Sequence, residues 1–139
     1  MHIRSADTTI QKKRPLSPHL QVWRWHATMA TSILHRASGS ANYIGAGLMT
    51  LFLVCLAGGP ESYQTIAPLF QGGLGIAVKV VLFLLAWSYG YHWLNGLRHL
   101  MWDAGLGFGP KTSNRNSWII MIASPLPAVL IFALALGAN

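Results

Sequence analysis

The sequence predicts an all-α membrane protein with three transmembrane helices. Of its 139 residues, 53% are hydrophobic and only 9% are charged, which is too apolar a composition for a soluble domain of this length. Three stretches of the chain are almost free of charge, and each is long enough to cross about 30 Å of hydrocarbon as a helix. None of these stretches alternates between apolar and polar residues, as the strands of a membrane barrel must.

The transmembrane helices are expected in the larger of two segments. Residues 1–27 form an N-terminal segment at the cytoplasmic surface, and residues 28–139 form a three-helix membrane anchor. Within the anchor, the limits of the apolar stretches predict spans of about 30–57, 69–103 and 117–137.

Glycine and proline mark the limits of these spans. Residues 58–60 (Gly-Gly-Pro) follow the first span, and the glycine-rich residues 105–110 follow the second. Pro125 and Pro127 lie inside the third span. Because proline has no backbone N–H and its ring clashes with the preceding turn, the third helix should be kinked there.

Basic residues are concentrated on one side of the predicted topology. Residues 1–36 contain six Lys or Arg against one Asp, residues 58–73 contain only Glu61, and residues 98–116 contain three Lys or Arg against one Asp. By the positive-inside rule, the N-terminus and the second connection lie in the cytoplasm or the mitochondrial matrix. This topology accounts for the net charge of +7 and argues against a nucleic-acid partner. The lack of an Arg-rich, Ser-rich presequence favours a bacterial inner membrane over a mitochondrial one.

Two histidines near the end of the second span point to a cofactor. Ionisable side chains in membrane helices are costly and usually face a bundle interior, a cofactor or a water path. His92 and His99 are seven residues apart, which on a helix is two turns, about 10 Å, and nearly the same face. This spacing suits a haem, with one ring on the iron and the other on a propionate. Gly96 would let a flat macrocycle approach, although a tight helix-helix contact explains it equally well.

A second polar cluster lies at the start of the first span. On a helix, Ser32, His35, Arg36 and Gly39 fall on one stripe. Consecutive spans are antiparallel, so this stripe and the end of the second span should meet at one membrane surface. The sequence therefore predicts a cationic, hydrogen-bonding pocket there. Two simpler alternatives remain open: the basic stripe could only anchor to lipid phosphates, and His99 could be a solvated residue paired with Asp103.

Three ordered motifs resemble a known family. They are residues 14–20 (RPLSPHL), residues 32–39 (SILHRASG), and His92 followed by residues 96–99 (GLRH) and Asp103. Together they are similar to the cytochrome b556 membrane-anchor subunit of succinate dehydrogenase, respiratory complex II. The resemblance runs from about residue 14 to the end of the chain and implies that the three helices belong to a larger heteromeric bundle.

The resemblance implies roles for individual residues around a haem b. His92 matches the axial ligand of the iron, and His99 and Arg36 match groups near the propionates. His35 is adjacent to Arg36 and is expected at the same site. A haem held by two histidines needs a second ligand, which in this family comes from a second small anchor subunit.

The resemblance also implies a ubiquinone site. Ser32 and Arg36 match the quinone pocket, where Ser32 would bind a carbonyl and Arg36 would stabilise the negative charge of the reduced ring. Trp25, seven residues before Ser32, is expected at the entrance. The chain would contribute no catalytic residue to the succinate chemistry itself.

Flavin and cluster chemistry must come from other subunits, because the sequence has no dinucleotide fingerprint and only one cysteine. The implied partners are a flavoprotein, an iron-sulfur subunit, the second anchor and membrane lipid. The direction of catalysis, succinate oxidation or fumarate reduction, stays open. Two other functions remain: a self-contained b-type cytochrome with His35 and His92 both on the iron, and a structural or transport subunit that binds no haem.

Overall fold

The computed structural model describes residues 23–137, which are helical throughout except for short connections. The elements in order are α1 (Ala27–Ala57), α2 (Gly59–Ile66), a 3-10 turn (Ala67–Phe70), α3 (Gly72–Asp103), α4 (Pro110–Ala123) and α5 (Leu126–Gly137). Three units are long and apolar enough to cross a membrane: α1, α3, and α4 together with α5. The predicted all-α class with three spans is confirmed. Residues 1–22, which contain the 14–20 motif and most of the proposed N-terminal segment, lie outside the described residues.

The helices extend beyond the apolar stretches at two of their ends. α1 begins at Ala27 rather than near residue 30, and α4 begins at Pro110 rather than near residue 117. Residues 110–117 are polar, so hydropathy does not include them in the span, but proline is well suited to the first position of a helix. α3 begins at Gly72, after the 3-10 turn, rather than near residue 69.

The third span is interrupted at its proline pair. α4 ends at Ala123 and α5 begins at Leu126, so the predicted kink is confirmed. The break lies against Gly90 of α3, where an added Cβ would be 2.8 Å from the Ser124 carbonyl oxygen and 3.3 Å from Pro127 Cγ. A glycine is required here because the backbones of the two helices approach too closely for any side chain.

The helices bury polar side chains and expose apolar ones. α3 is central and packs against α1, α4 and α5. Among the described residues, the buried hydrophobic side chains are Tyr91, Ile120 and Ala128, and the buried polar ones are Thr31, Ser38, Asn42, Asn95, Arg98, Ser113, Ser117 and Ser124. Lipid is as apolar as leucine, so membrane helices associate through close packing of small residues and interhelical hydrogen bonds. This interior is therefore typical of a membrane bundle.

Hydrogen bonds between α1 and α3 fix the register of the two helices. Ser88 Oγ donates to Asn42 Oδ1 at 2.7 Å, and Tyr91 Oη donates to the Thr31 carbonyl at 2.8 Å. Each such bond is worth about 0.6 kcal/mol on average in a membrane protein. They lie on either side of the level at which α1 presents His35 to α3, and so they hold His35 opposite His92.

Candidate functional site

Three imidazole rings form a histidine stack between α1 and α3, made of His35, His92 and His99. The ring of His35 lies 3.9 Å from that of His92, centroid to centroid, with 14° between the planes. It lies 5.1 Å from the ring of His99 at 23°. All three side chains are half-buried. The antiparallel packing of α1 and α3 thus brings the predicted histidines together.

Hydrogen bonds to main-chain carbonyls define which ring nitrogens carry a proton. His92 Nδ1 lies 3.2 Å from the His35 carbonyl oxygen, and His99 Nδ1 lies 2.8 Å from the Asn95 carbonyl oxygen. A carbonyl can only accept, so each Nδ1 must be the donor. In the neutral rings, Nε2 then keeps its lone pair, which is the arrangement a metal-ligating histidine needs. His99 is therefore held by its own helix rather than by Asp103.

The surroundings of His92 fit a haem. An added Cβ on Gly39 would come 3.1 Å from His92 Cε1, so α1 lies close against the ring and a side chain at residue 39 would displace it by a few tenths of an ångström. A Cβ on Gly96 would meet no atom within 4 Å, so the described residues make no tight helix-helix contact there and leave open space one turn from His92. No group of three or more His, Cys, Asp or Glu that could hold a metal occurs within residues 23–137. A haem needs no such group, because its macrocycle supplies the equatorial ligands.

The stacked rings bear on how many ligands this chain could give to one iron. Two axial imidazoles must meet the iron end-on from opposite faces of the macrocycle. The rings of His35 and His92 instead lie face to face, 3.9 Å apart. This arrangement leaves no space for a macrocycle between the two rings.

The predicted quinone residues are not joined to the histidine stack by any hydrogen bond or ring contact in the described part of the chain. Ser32 is half-buried and Arg36 is exposed, one turn apart on α1. Trp25 precedes α1, is 61% exposed, and packs on Trp23 with 5.5 Å between ring centroids. Each of these three side chains is at least partly exposed, so a ligand or a partner subunit could contact it.

A buried arginine that the sequence analysis did not single out holds the three spans together. Arg98 is 2% exposed. Its Nη1 donates to Thr31 Oγ1 of α1 at 3.0 Å and to Ser117 Oγ of α4. Its guanidinium lies 4.6 Å from the ring centroid of Trp102, at a distance suited to a cation-π contact. We call Arg98, Thr31 and Ser117 the arginine clamp.

The clamp belongs to a polar stripe that could have been recognised in the sequence. Tyr91, Asn95 and Arg98 are spaced i, i+4 and i+7 on α3, and all three are buried. The charge count assigns Arg98 to a solvated connection, which is why its burial was missed. The side-chain amide of Asn95 and the Nε and Nη2 atoms of Arg98 are buried without a hydrogen-bond partner in the described residues.

Comparison with known proteins gives a consistent result. Residues 10–134 match a family model described as the succinate dehydrogenase/fumarate reductase transmembrane subunit. The chain is 33% identical to the succinate dehydrogenase cytochrome b556 subunit of Rickettsia bellii over 123 residues, covering 88% of this chain and 94% of that protein. It is 37% identical to the subunit of the same name from Paracoccus denitrificans, covering 84% and 88%. It is also 32% identical to the human mitochondrial succinate dehydrogenase cytochrome b560 subunit, covering 92% and 75%.

Proposed function

Because the chain belongs to the succinate dehydrogenase/fumarate reductase transmembrane-subunit family, we propose that it anchors a succinate:ubiquinone oxidoreductase, binds haem b and forms part of the quinone-reduction site. The observation that carries the haem assignment is the state of His92. Its Nδ1 is bound to a main-chain carbonyl, its Nε2 is free to act as a ligand, and open space lies beside Gly96, one turn away.

The haem would be held by this chain from one side. A bound haem b supplies one-electron redox chemistry. His92 would ligate the iron through Nε2, and the second ligand would come from another small anchor subunit. Arg36 carries a positive charge that suits a propionate, and His99, whose Nδ1 is bound to the Asn95 carbonyl, would lie near the propionates as well. The His35 ring, which stacks on the rings of His92 and His99, would pack between them.

The quinone site would use the outward-facing side of α1. The Ser32 hydroxyl would donate to a ubiquinone carbonyl, and Arg36 would stabilise the negative charge that develops on reduction. Trp25, exposed just before α1, would cover the entrance. Partial exposure of all three supports this proposal, because a pocket shared with a partner subunit must be open in the isolated chain.

The partners and the membrane follow from the family. The relatives named as succinate dehydrogenase cytochrome subunits imply a flavoprotein that oxidises succinate and an iron-sulfur subunit that passes electrons to the membrane. This chain has no catalytic activity alone in this proposal. The bacterial relatives and the charge distribution support a bacterial inner membrane with the N-terminus in the cytoplasm, although human and mouse relatives are mitochondrial.

Purification of the tagged chain in mild detergent tests this function. We expect it to bring down a flavoprotein, an iron-sulfur subunit and a second small membrane subunit, with a low-spin b-type spectrum that succinate or dithionite reduces. The chain expressed alone is the control, since full low-spin haem without a partner would favour a self-contained cytochrome. A complex without haem bands would contradict the haem assignment.

A further inference from the structure

The hydroxyl of Ser38 lies against the proposed iron ligand. Ser38 is 8% exposed, and its Oγ is 3.1 Å from His92 Nδ1. The same Oγ donates to the His35 carbonyl oxygen at 2.9 Å, and that carbonyl is 3.2 Å from His92 Nδ1. Two oxygen atoms of α1 thus meet at one ring nitrogen of α3.

The direction of each hydrogen bond follows from the donors available. The Ser38 hydroxyl proton is directed to the His35 carbonyl, so toward His92 the oxygen presents a lone pair. His92 Nδ1–H is therefore shared between two acceptors, the Ser38 hydroxyl and the His35 carbonyl. With two acceptors, the proton is held on Nδ1 and the ring is fixed against rotation about its bond to Cβ.

We infer that Ser38 is a positioning residue for the haem: together with the His35 carbonyl it holds the tautomer and orientation of His92, and it strengthens this imidazole as an iron ligand. The inference rests on the proposed function, because it requires His92 to be the ligand. An acceptor on the distal N–H raises the basicity of a metal-bound imidazole, and loss of such a partner typically costs 10- to 100-fold in metal affinity. A more basic ligand favours the ferric over the ferrous state.

A local role for Ser38 is the alternative. Serine and threonine in helices commonly donate to a carbonyl three or four residues earlier, as Ser40 does to Arg36 and Thr50 does to Ala46 in the same helix. Those two residues are exposed, whereas the Ser38 hydroxyl is also in contact with an imidazole. Ser40 thus provides a matched control for the loss of a serine hydroxyl on α1.

The test measures the haem midpoint potential in the intact complex carrying Ser38→Ala, Ser38→Thr or Ser40→Ala. We expect Ser38→Ala to keep a low-spin haem but to raise its potential, because the ferric state loses more ligand strength than the ferrous state. A tenfold difference between the two affinities corresponds to about 59 mV for one electron. Ser38→Thr keeps the hydroxyl and should restore the wild-type potential, and Ser40→Ala should not change it.

Two results would overturn the inference: a wild-type potential in Ser38→Ala, or an equal shift in Ser38→Ala and Ser38→Thr. If Ser38→Ala fails to retain haem, Ser38→Thr decides, since normal haem in that variant supports the inference and loss of haem contradicts it. A His92→Ala complex measured in parallel distinguishes failure of the Ser38 inference from failure of the proposed function. An unchanged low-spin spectrum there would show that His92 is not the ligand at all.

Discussion

The histidine stack and the arginine clamp use neighbouring residues of α3 but differ in their hydrogen-bond partners. In the stack, His92 and His99 use Nδ1 for main-chain carbonyls and leave Nε2 free for a ligand. In the clamp, Arg98 is buried and its Nη1 donates to hydroxyls on two other helices. We expect a buried cation that is bound inside the chain to matter for the fold, and a ring with a free nitrogen to matter for a ligand. The position of a residue within an apolar stretch of the sequence does not distinguish these two roles.

The largest expected effect comes from removing the acceptors of the clamp. In Thr31→Val/Ser117→Ala, the guanidinium stays buried without its two hydroxyl acceptors, and each hydrogen bond to a charged group is worth roughly 1.5–3 kcal/mol. The purified complex should therefore lose thermal stability, measured as the temperature of aggregation in detergent. Thr50→Val is the control, because it removes an exposed hydroxyl from the same helix. Equal aggregation temperatures for the two variants would show that the clamp does not hold the bundle.

The next effect is on quinone turnover. Ser32→Ala should slow quinone reduction about 10²-fold, because one hydrogen bond to a developing anion is lost, and Arg36→Ala should slow it at least as much. Succinate oxidation with an artificial acceptor at the soluble subunits should stay near normal in Ser32→Ala, as should the haem spectrum. Ser40→Ala, two turns along α1 and exposed, is the matched control. Preserved turnover in Ser32→Ala across quinone concentrations would place the pocket elsewhere.

A smaller effect is expected where α1 touches the stack. Gly39→Ala would bring a Cβ to 3.1 Å from His92 Cε1, so the ring must shift by a few tenths of an ångström. We expect the haem to remain bound with a shifted electron paramagnetic resonance signal. Gly47→Ala meets no atom within 4 Å and should leave the signal unchanged. Identical signals in both variants would contradict the contact between Gly39 and the ligand.

The smallest effect concerns topology: which membrane surface the histidine stack and the arginine clamp face. The cysteine variants that test it are expected to change neither stability nor rate. In a background where Cys55 is replaced, Ser62→Cys should react with an impermeant thiol reagent in spheroplasts, and Thr112→Cys should react only after lysis. The positive-inside rule predicts this pattern, because residues 98–116 carry the basic connection. The opposite labelling pattern would place both clusters at the outer surface.

Features that depend on local sequence or on the order of the helices could be predicted from the sequence. The three spans follow from apolar length, the break in the third span follows from Pro125, and the meeting of His35 with His92 follows from antiparallel order. The resemblance in residues 32–39 and 96–99 added the family, which the comparison with known proteins confirms.

Contacts that depend on how the helices are rotated against one another could not be predicted. Arg98 is bound to Thr31 and Ser117, which are 67 and 19 residues away, and a charge count treats every cation as solvated. The contact of Ser38 with His92 requires the relative rotation of α1 and α3, which the helical period does not supply. The start of α4 at Pro110 was missed because its first two turns are polar.

The most direct test of the central distinction compares the optical spectra of His92→Ala and Arg98→Met complexes, normalised to flavoprotein content. His92→Ala should lose the low-spin haem bands because the iron loses an axial ligand. Arg98→Met should keep them, because an apolar side chain can replace a buried charge at little cost and the hydroxyls of Thr31 and Ser117, 3.3 Å apart, can bind each other. An unchanged low-spin spectrum in His92→Ala would contradict the account, as would loss of the haem bands from an otherwise intact Arg98→Met complex.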